Sequence, residues 1–205
     1  MWRSSAAQHS QSLESWYTHI PGLTVAAPST PADNFGLLKS AIRADDPVVY
    51  FEHKNLWGLE GEVDEAADPI PFGKARIERE GADITIVAWS AMVHFAREAV
   101  NTLAEEGISA ELIDLRSLWP WDKDAVLASV GKTGRLIVTH ESVSVGGFGA
   151  EIAATVSEAL FGKLKAPVKR LAAPRIPISY APPLEDEVRV SPARIAETAR
   201  AMVSQ

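Results

Sequence analysis

The sequence predicts an α/β protein in two unequal parts, a partial α/β domain followed by a complete three-layer domain on a mainly parallel sheet. Three observations carry this. From Gly73 onward, short continuous apolar runs alternate with amphipathic stretches of helical period, the pattern of strands buried on both faces. Residues 1–53 hold fewer such units than a closed domain needs. Between them, residues 54–72 (KNLWGLEGEVDEAADPIPF) combine Gly, Pro and acids without periodicity and read as a linker.

In the first part, a helix start at Ser12–Tyr17 precedes a short strand, Leu23–Ala27. Next comes a helix with Thr30 as N-cap and Pro31 in the first helical position. Phe35, Leu38 and Ile42 repeat at helical spacing and predict its buried stripe. Asp45-Asp46-Pro47 ends it, and Val48–His53 predicts a compact buried strand. Beyond the linker, ITIVAW opens the larger domain, and Val93, Ala96, Val100 and Leu103 line one face of the following helix. AELIDL and the helix DKDAVLASV come next, with Gly131 expected as the helix C-cap. RLIVTH leads to a helix with Phe148, Ile152, Val156 and Leu160 in register. APVKRLA is the fourth strand, and a last helix starts after Ser191-Pro192. Right-handed crossovers then follow from strand twist.

With 205 residues, 46% hydrophobic and 23% charged, the composition is that of a soluble globular protein. A net charge of -7 argues against nucleic acid or an anionic membrane as partner. The absence of cysteine excludes disulfides, thiolate zinc sites and cysteine catalysis. No apolar run approaches the roughly 20 residues that span a bilayer. The Ser-rich opening lacks the amphipathic Arg pattern of a transit peptide, so a cytoplasmic protein is expected.

Several motifs fail on spacing. GKT at Gly131–Thr133 lacks the earlier P-loop glycine and lies between helix and strand in the wrong order. GGFGAE (Gly146–Glu151) follows a strand and opens a helix, but Ile152 occupies the third glycine position of a dinucleotide fingerprint. Its glycines instead suit a close backbone approach to a neighbouring strand or subunit. There is no GxSxG elbow and no helical histidine pair for a metal. His94 fits a packing role. His140 and Glu141 end a parallel strand, where sites and interfaces gather, and Trp119 and Trp121 fit core or subunit contacts.

The words of the sequence go further. QHSQSLESWYTHIPGLTVAAPSTPADNFGLLKSAIRADDPVVYFEHK, IDLRSLWPWD, KTGRLIVTHE, GGFGAEIAA and YAPPLED resemble the beta subunits of thiamin-diphosphate-dependent 2-oxoacid dehydrogenases of the pyruvate, branched-chain and acetoin types. The resemblance runs from Gln8 to the C-terminus. It implies a remnant of the pyrimidine-binding domain in residues 1–53, a linker at 54–72 and a transketolase C-terminal-like domain at 73–205. It implies that His9 is the active-site histidine, which assists proton transfer and acyl handover to lipoamide, work that suits an imidazole. It matches Ala41, Ile42, Ala44 and Asp46 to a structural potassium site of mostly backbone oxygens, with Ala44 departing from the usual acid. The cofactor is thiamin diphosphate, shared with an alpha subunit that holds the Mg²⁺. The further partners are a second beta subunit and the dihydrolipoyl acyltransferase core, in the cytoplasm or, in a eukaryote, the mitochondrial matrix. The glutamate that activates the aminopyrimidine ring has no counterpart here, so the isolated chain is expected to be inactive. A different class of reading is a non-catalytic binding or assembly module, or an inactive remnant. A piece of transketolase or deoxyxylulose-phosphate synthase fits QHSQS and YAPPLED less well. FEHKNLWGLEGEV looks more like the acetoin and pyruvate types than the branched-chain type. The strands Leu23–Ala27 and Val48–His53 are expected to expose unpaired edges.

Overall fold

The structure, a computed structural model, describes residues 6–204. Two short helices, α1 (Ala6–His9) and α2 (Glu14–Thr18), lead to strand β1 (Thr24–Ala26), helix α3 (Pro31–Arg43) and strand β2 (Val48–Tyr50). The larger part follows as β3 (Arg76–Arg79), β4 (Ile84–Ala88), α4 (Ala91–Glu105), β5 (Ala110–Asp114), β6 (Ser117–Trp119), α5 (Lys123–Thr133), β7 (Leu136–Val143), α6 (Gly149–Ala159), β8 (Lys169–Ala173), α7 (Pro182–Val188) and α8 (Pro192–Val203). Among these residues no helix is long and apolar enough to cross a membrane.

The main sheet has the order β3-β5-β4-β7-β8. β5, β4, β7 and β8 run parallel, with Ile86 facing Leu112 on one side and Ile137 on the other. β3 adds an antiparallel edge whose alternating half-buried and exposed residues suit a one-sided strand. On one face, α4 and α8 bury Met92, Val93, Ala96, Val100, Leu103, Ile195 and Met202 against Ile84 and Ile86. On the other, α5 and α6 bury Val126, Val130, Ile152 and Val156 against Val87, Ile113 and Val138. Each such aliphatic side chain contributes about 1.5–3 kcal/mol when fully buried. The parallel core and its covering helices are therefore those expected from the sequence.

The two parts are not joined by a linker alone. β6 leaves the main domain and pairs antiparallel with β1, giving a second sheet of order β2-β1-β6. The backbone turns into β6 through Arg116, whose φ of +58° is unusual for a side chain with a Cβ. Its guanidinium is held by the Lys74 and Ala75 carbonyls and by Asp33. Val25 and Ala26 are consequently buried, and Val25 and Ala27 join the core under α5 and α6. The expectation of two open edges is corrected: β1 is paired on both sides, and β2 is the edge. β2 is also half-buried rather than buried, and it ends at Tyr50.

Helix α3 corrects another expectation. Thr30 caps it as foreseen, its Oγ1 accepting from the Asp33 N–H at 3.2 Å. However, Leu38 and Ile42 are 42% and 77% exposed, while Asp33, Gly36 and Leu37 face inward. Periodicity identifies an apolar face, but only packing decides which face finds a partner. Gly36 admits Ile70: a Cβ there would lie 2.5 Å from Ile70 Cγ1. The Ile70 N–H donates to Gly36 O, and Ser40 Oγ donates to Ile70 O. Lys39 Nζ donates to the Glu65 and Ala67 carbonyls, so residues 65–70 are fastened along α3. A third correction concerns Gly131. Helix α5 continues through it to Thr133, because Ser129 and Thr133 hydroxyls bond the buried Thr85 Oγ1 beneath the helix. Gly134, at φ +74°, is the C-cap.

The exposed acids Glu60 and Glu62 lie where little holds the backbone. A glutamate-specific protease is expected to cut there first, since such backbone reaches the protease by local opening. The two fragments should then co-elute in native size exclusion, because β1 remains paired with β6. Separation of the fragments without denaturant would contradict the shared sheet.

Candidate functional site at the junction

The segment following His9 docks against the carboxyl ends of the main sheet. His9 is the last residue of α1 and is exposed; Gln11 Nε2 donates to Ala7 O at 2.7 Å. Ser10 is buried, and α2 then inserts Glu14 into the interior. Trp89, just beyond β4, donates from Nε1 to Glu14 Oε1 at 3.2 Å. Burial raises the pKa of Glu14, and the nearby Glu141 adds to the rise. Ser15 Oγ accepts the Phe148 N–H at 3.2 Å, which ties α2 to the start of α6.

Behind this contact the aromatic groups are stacked. Trp89 lies over His140 at 5.1 Å with planes 15° apart, and meets Phe148 edge-on at 6.2 Å. Trp121 meets Phe148 edge-on from the other side. Burial pushes the His140 pKa down to about 4, so the ring is neutral at neutral pH. Its Nδ1 lies 2.9 Å from Ser142 Oγ and 3.1 Å from Ser142 O. The GGFG glycines now have a physical reason. A Cβ on Gly147 would lie 2.6 Å from His140 Cε1, and one on Gly149 would lie 2.7 Å from Nε2. Next to His140, Glu141 Oε2 meets His53 Nε2 at 2.6 Å, linking β7 to the loop after β2. A wide cleft of about 1350 Å³ opens outside, with Trp16, Ile20, Trp119, Val145 and Ile176 on its walls.

A second polar joint lies on the β5 side. Ser29 Oγ donates to the buried Asp114 Oδ2, and Arg76 reaches both Asp114 Oδ2 and Asp33 Oδ2 at 3.3 and 3.0 Å. Arg116 reaches the other oxygen of Asp33. His94 Nε2 sits 2.8 Å from Ser29 O, a packing role in keeping with its sequence context. Burial pushes Asp114 up to about 7; Asp33 adds to the rise, while Ser29 and Arg76 oppose it. Sequence reasoning missed this joint, since Arg76 and Asp114 lie far along the chain from Ser29 and Asp33 and the four form no motif.

The remaining candidates divide. Ala41, Ile42, Ala44 and Asp46 lie together at the C-terminal end of α3, with Ile42, Ala44 and Asp46 exposed. Carbonyls at that end carry the negative pole of the helix and suit a cation. None of the described residues form a group of three or more acids or histidines able to hold a metal ion. The carboxylate nearest His9 in sequence, Glu14, is buried against Trp89. His9 itself is exposed at the end of α1, whereas Glu14 and His140 are buried.

Comparison with known proteins gives this arrangement a family. Residues 73–195 match the transketolase C-terminal domain and residues 3–58 the transketolase pyrimidine-binding domain. The fold accordingly resembles a split-gene transketolase described as an inactive beta4 tetramer, with TM-score 0.76 and 23% identity over 93% of this chain and 60% of that one. A Pichia stipitis transketolase variant gives TM-score 0.64 at 16% identity, over 97% of this chain and 28% of its own. The fold class is thus a transketolase-like α/β protein. Sequence narrows it. The chain is 53% identical over 196 residues to the acetoin:2,6-dichlorophenolindophenol oxidoreductase subunit beta of Cupriavidus necator, covering 96% of this chain and 58% of that protein. It is 43% identical over 197 residues to the 2-oxoisovalerate dehydrogenase subunit beta of Bacillus subtilis, at 95% and 60% coverage. It is 49% identical over 183 residues to the mitochondrial pyruvate dehydrogenase E1 component subunit beta-2 of Oryza sativa subsp. japonica, at 87% and 49% coverage. The chain belongs to the transketolase C-terminal domain family, with a match to the transketolase pyrimidine-binding domain before it, and is similar in sequence to beta subunits of 2-oxoacid and acetoin dehydrogenases. It spans about half to three fifths of the length of these curated relatives.

The Asp114 joint predicts a pH dependence. With a pKa of about 7 when folded against 3.8 ordinarily, Asp114 binds more protons in the folded chain across that window. Its contribution to stability is therefore fully present below about 3.8 and is lost as pH rises to 7. Asp114→Asn, which keeps an acceptor for Ser29, should flatten the fall in Tm between these limits. An unchanged Tm-against-pH slope would show that Asp114 is ionised throughout.

Proposed function

We propose that the chain supplies the beta-subunit share of a thiamin-diphosphate-dependent dehydrogenase acting on acetoin or a 2-oxoacid. The reaction is oxidative decarboxylation or cleavage of the substrate, with the acyl group passed to lipoamide. The observation that carries this reading is the 53% identity over 196 residues to an acetoin oxidoreductase beta subunit. The 43% identity to the 2-oxoisovalerate enzyme lends less support to the branched-chain type. An alpha subunit holds the diphosphate and Mg²⁺, a second beta subunit completes the assembly, and a dihydrolipoyl acyltransferase core receives the product. His9 is exposed where a partner chain can cover it, and its imidazole holds and moves a proton at the acyl-transfer step. The C-terminal end of α3, at Ala41, Ile42, Ala44 and Asp46, seats a structural potassium ion. The assembly works in the cytoplasm, or in the mitochondrial matrix of a eukaryote.

Because the proposal gives the diphosphate and Mg²⁺ to an alpha subunit, the chain alone should not reduce 2,6-dichlorophenolindophenol with acetoin or pyruvate. Co-expression with an alpha subunit should give a complex in size exclusion. In an active assembly, His9→Ala should lower turnover by roughly 10²–10⁴-fold. Turnover by the chain alone would overturn the proposal, and failure to bind any alpha subunit would favour an assembly module. Replacing Li⁺ by K⁺ should raise the Tm if the α3 terminus seats the ion.

A further inference from the structure

We propose that the groove beside the N-terminus of α3 docks an extended, lysine- and arginine-bearing segment of a partner polypeptide. The groove has a volume of about 400 Å³, enough for one or two side chains but not a folded domain. It opens beyond the carboxyl ends of two adjacent parallel strands, β1 and β2, a place where parallel sheets commonly bind ligands. Its walls are apolar: Pro28 and Pro31 on one side, Leu56, Trp57 and Leu59 on the other. Trp57 is 69% exposed, so its ring face is available rather than consumed by the core.

The polar groups assign the occupant. Glu52 lines the groove and is exposed. The backbone at Gly61 lies against Pro31, where an added Cβ would come 3.3 Å from Pro31 Cγ. Exposed Glu60 and Glu62 therefore flank the same wall, and Asp64, Glu65 and Asp68 continue the acidic line beyond it. Residues 54–72 contain one cation, Lys54, against these five acids. An aliphatic stem of lysine or arginine fits along the prolines, its charged head finds Glu52, and a guanidinium can stack on the Trp57 ring. The acidic line runs past the pocket, so a chain with cations spaced along it matches more of the surface than a single small cation does. The inference is independent of the catalytic role proposed for His9, which does not line the groove.

The test uses the whole chain and fluorescence anisotropy of a labelled arginine-rich octapeptide across a salt series. Trp57→Ala should weaken binding about 10-fold or more, as loss of an aromatic anchor does. Glu60→Gln with Glu62→Gln and Asp64→Asn should weaken it and flatten its salt dependence. Glu105→Gln with Glu158→Gln, on distant exposed positions, should leave affinity unchanged. These side chains are exposed, and circular dichroism of each variant should match the parent. Equal loss from the distant pair, or none from Trp57→Ala, would show attraction to net charge alone and overturn the proposal. Competition by free arginine amide at the peptide's own concentration would also overturn it, in favour of a small-cation pocket.

Discussion

The pairing of β6 with β1 is the contact on which the rest of the molecule depends. A parallel sheet flanked by helices closes its own core, but two strands and one helix cannot bury enough apolar surface to stand alone. By sending Ser117–Trp119 out of the larger domain, the chain gives β1 a second neighbour and buries Val25 and Ala26. That route requires Arg116 to adopt a backbone conformation that costs a side-chain residue of order 1–2 kcal/mol. The same residue's guanidinium offsets the cost by holding two carbonyls and Asp33.

Two polar joints then fix the smaller part on the larger. Around Asp114, charges of both signs are gathered in a buried place, where removing one partner leaves the other uncompensated. Around Glu14, burial works toward neutral forms instead: it raises the Glu14 pKa and pushes that of His140 down to about 4. These groups give orientation more than stability, since a buried polar group has low-energy partners in few arrangements. The stacked Trp89 and His140 set the height at which α2 and the segment bearing His9 lie over the sheet.

The site is open rather than enclosed. Exposed imidazoles at His9 and His19 and a broad cleft with apolar side chains such as Trp16, Ile20 and Val145 on its walls describe a surface, not a closed pocket. Under the proposed function, that surface is the one an alpha subunit covers. The exposed stripe of Leu38 and Ile42 on α3 and the acid-rimmed groove beside it show that the smaller part has surfaces of its own.

The sequence by itself determined the local structure. Continuous apolar runs set β4, β5, β7 and β8; helical spacing set the inner faces of α4 and α6; Thr30 and Ser191 capped their helices through side chains adjacent in the chain. The family was legible too, because its motifs are runs of consecutive letters. Tertiary structure decided everything that depends on which surfaces meet. β6 was invisible because a three-residue strand has no period to detect. The stripe on α3 pointed outward because the inward face was chosen by Ile70, Arg76 and Arg116, none of them near it in sequence. Asp114 accepts its buried hydrogen bond from Ser29, 85 positions away in the chain. Burial, which shifts both pKa values and packing, is a property of the assembled chain, and no short window of sequence contains it.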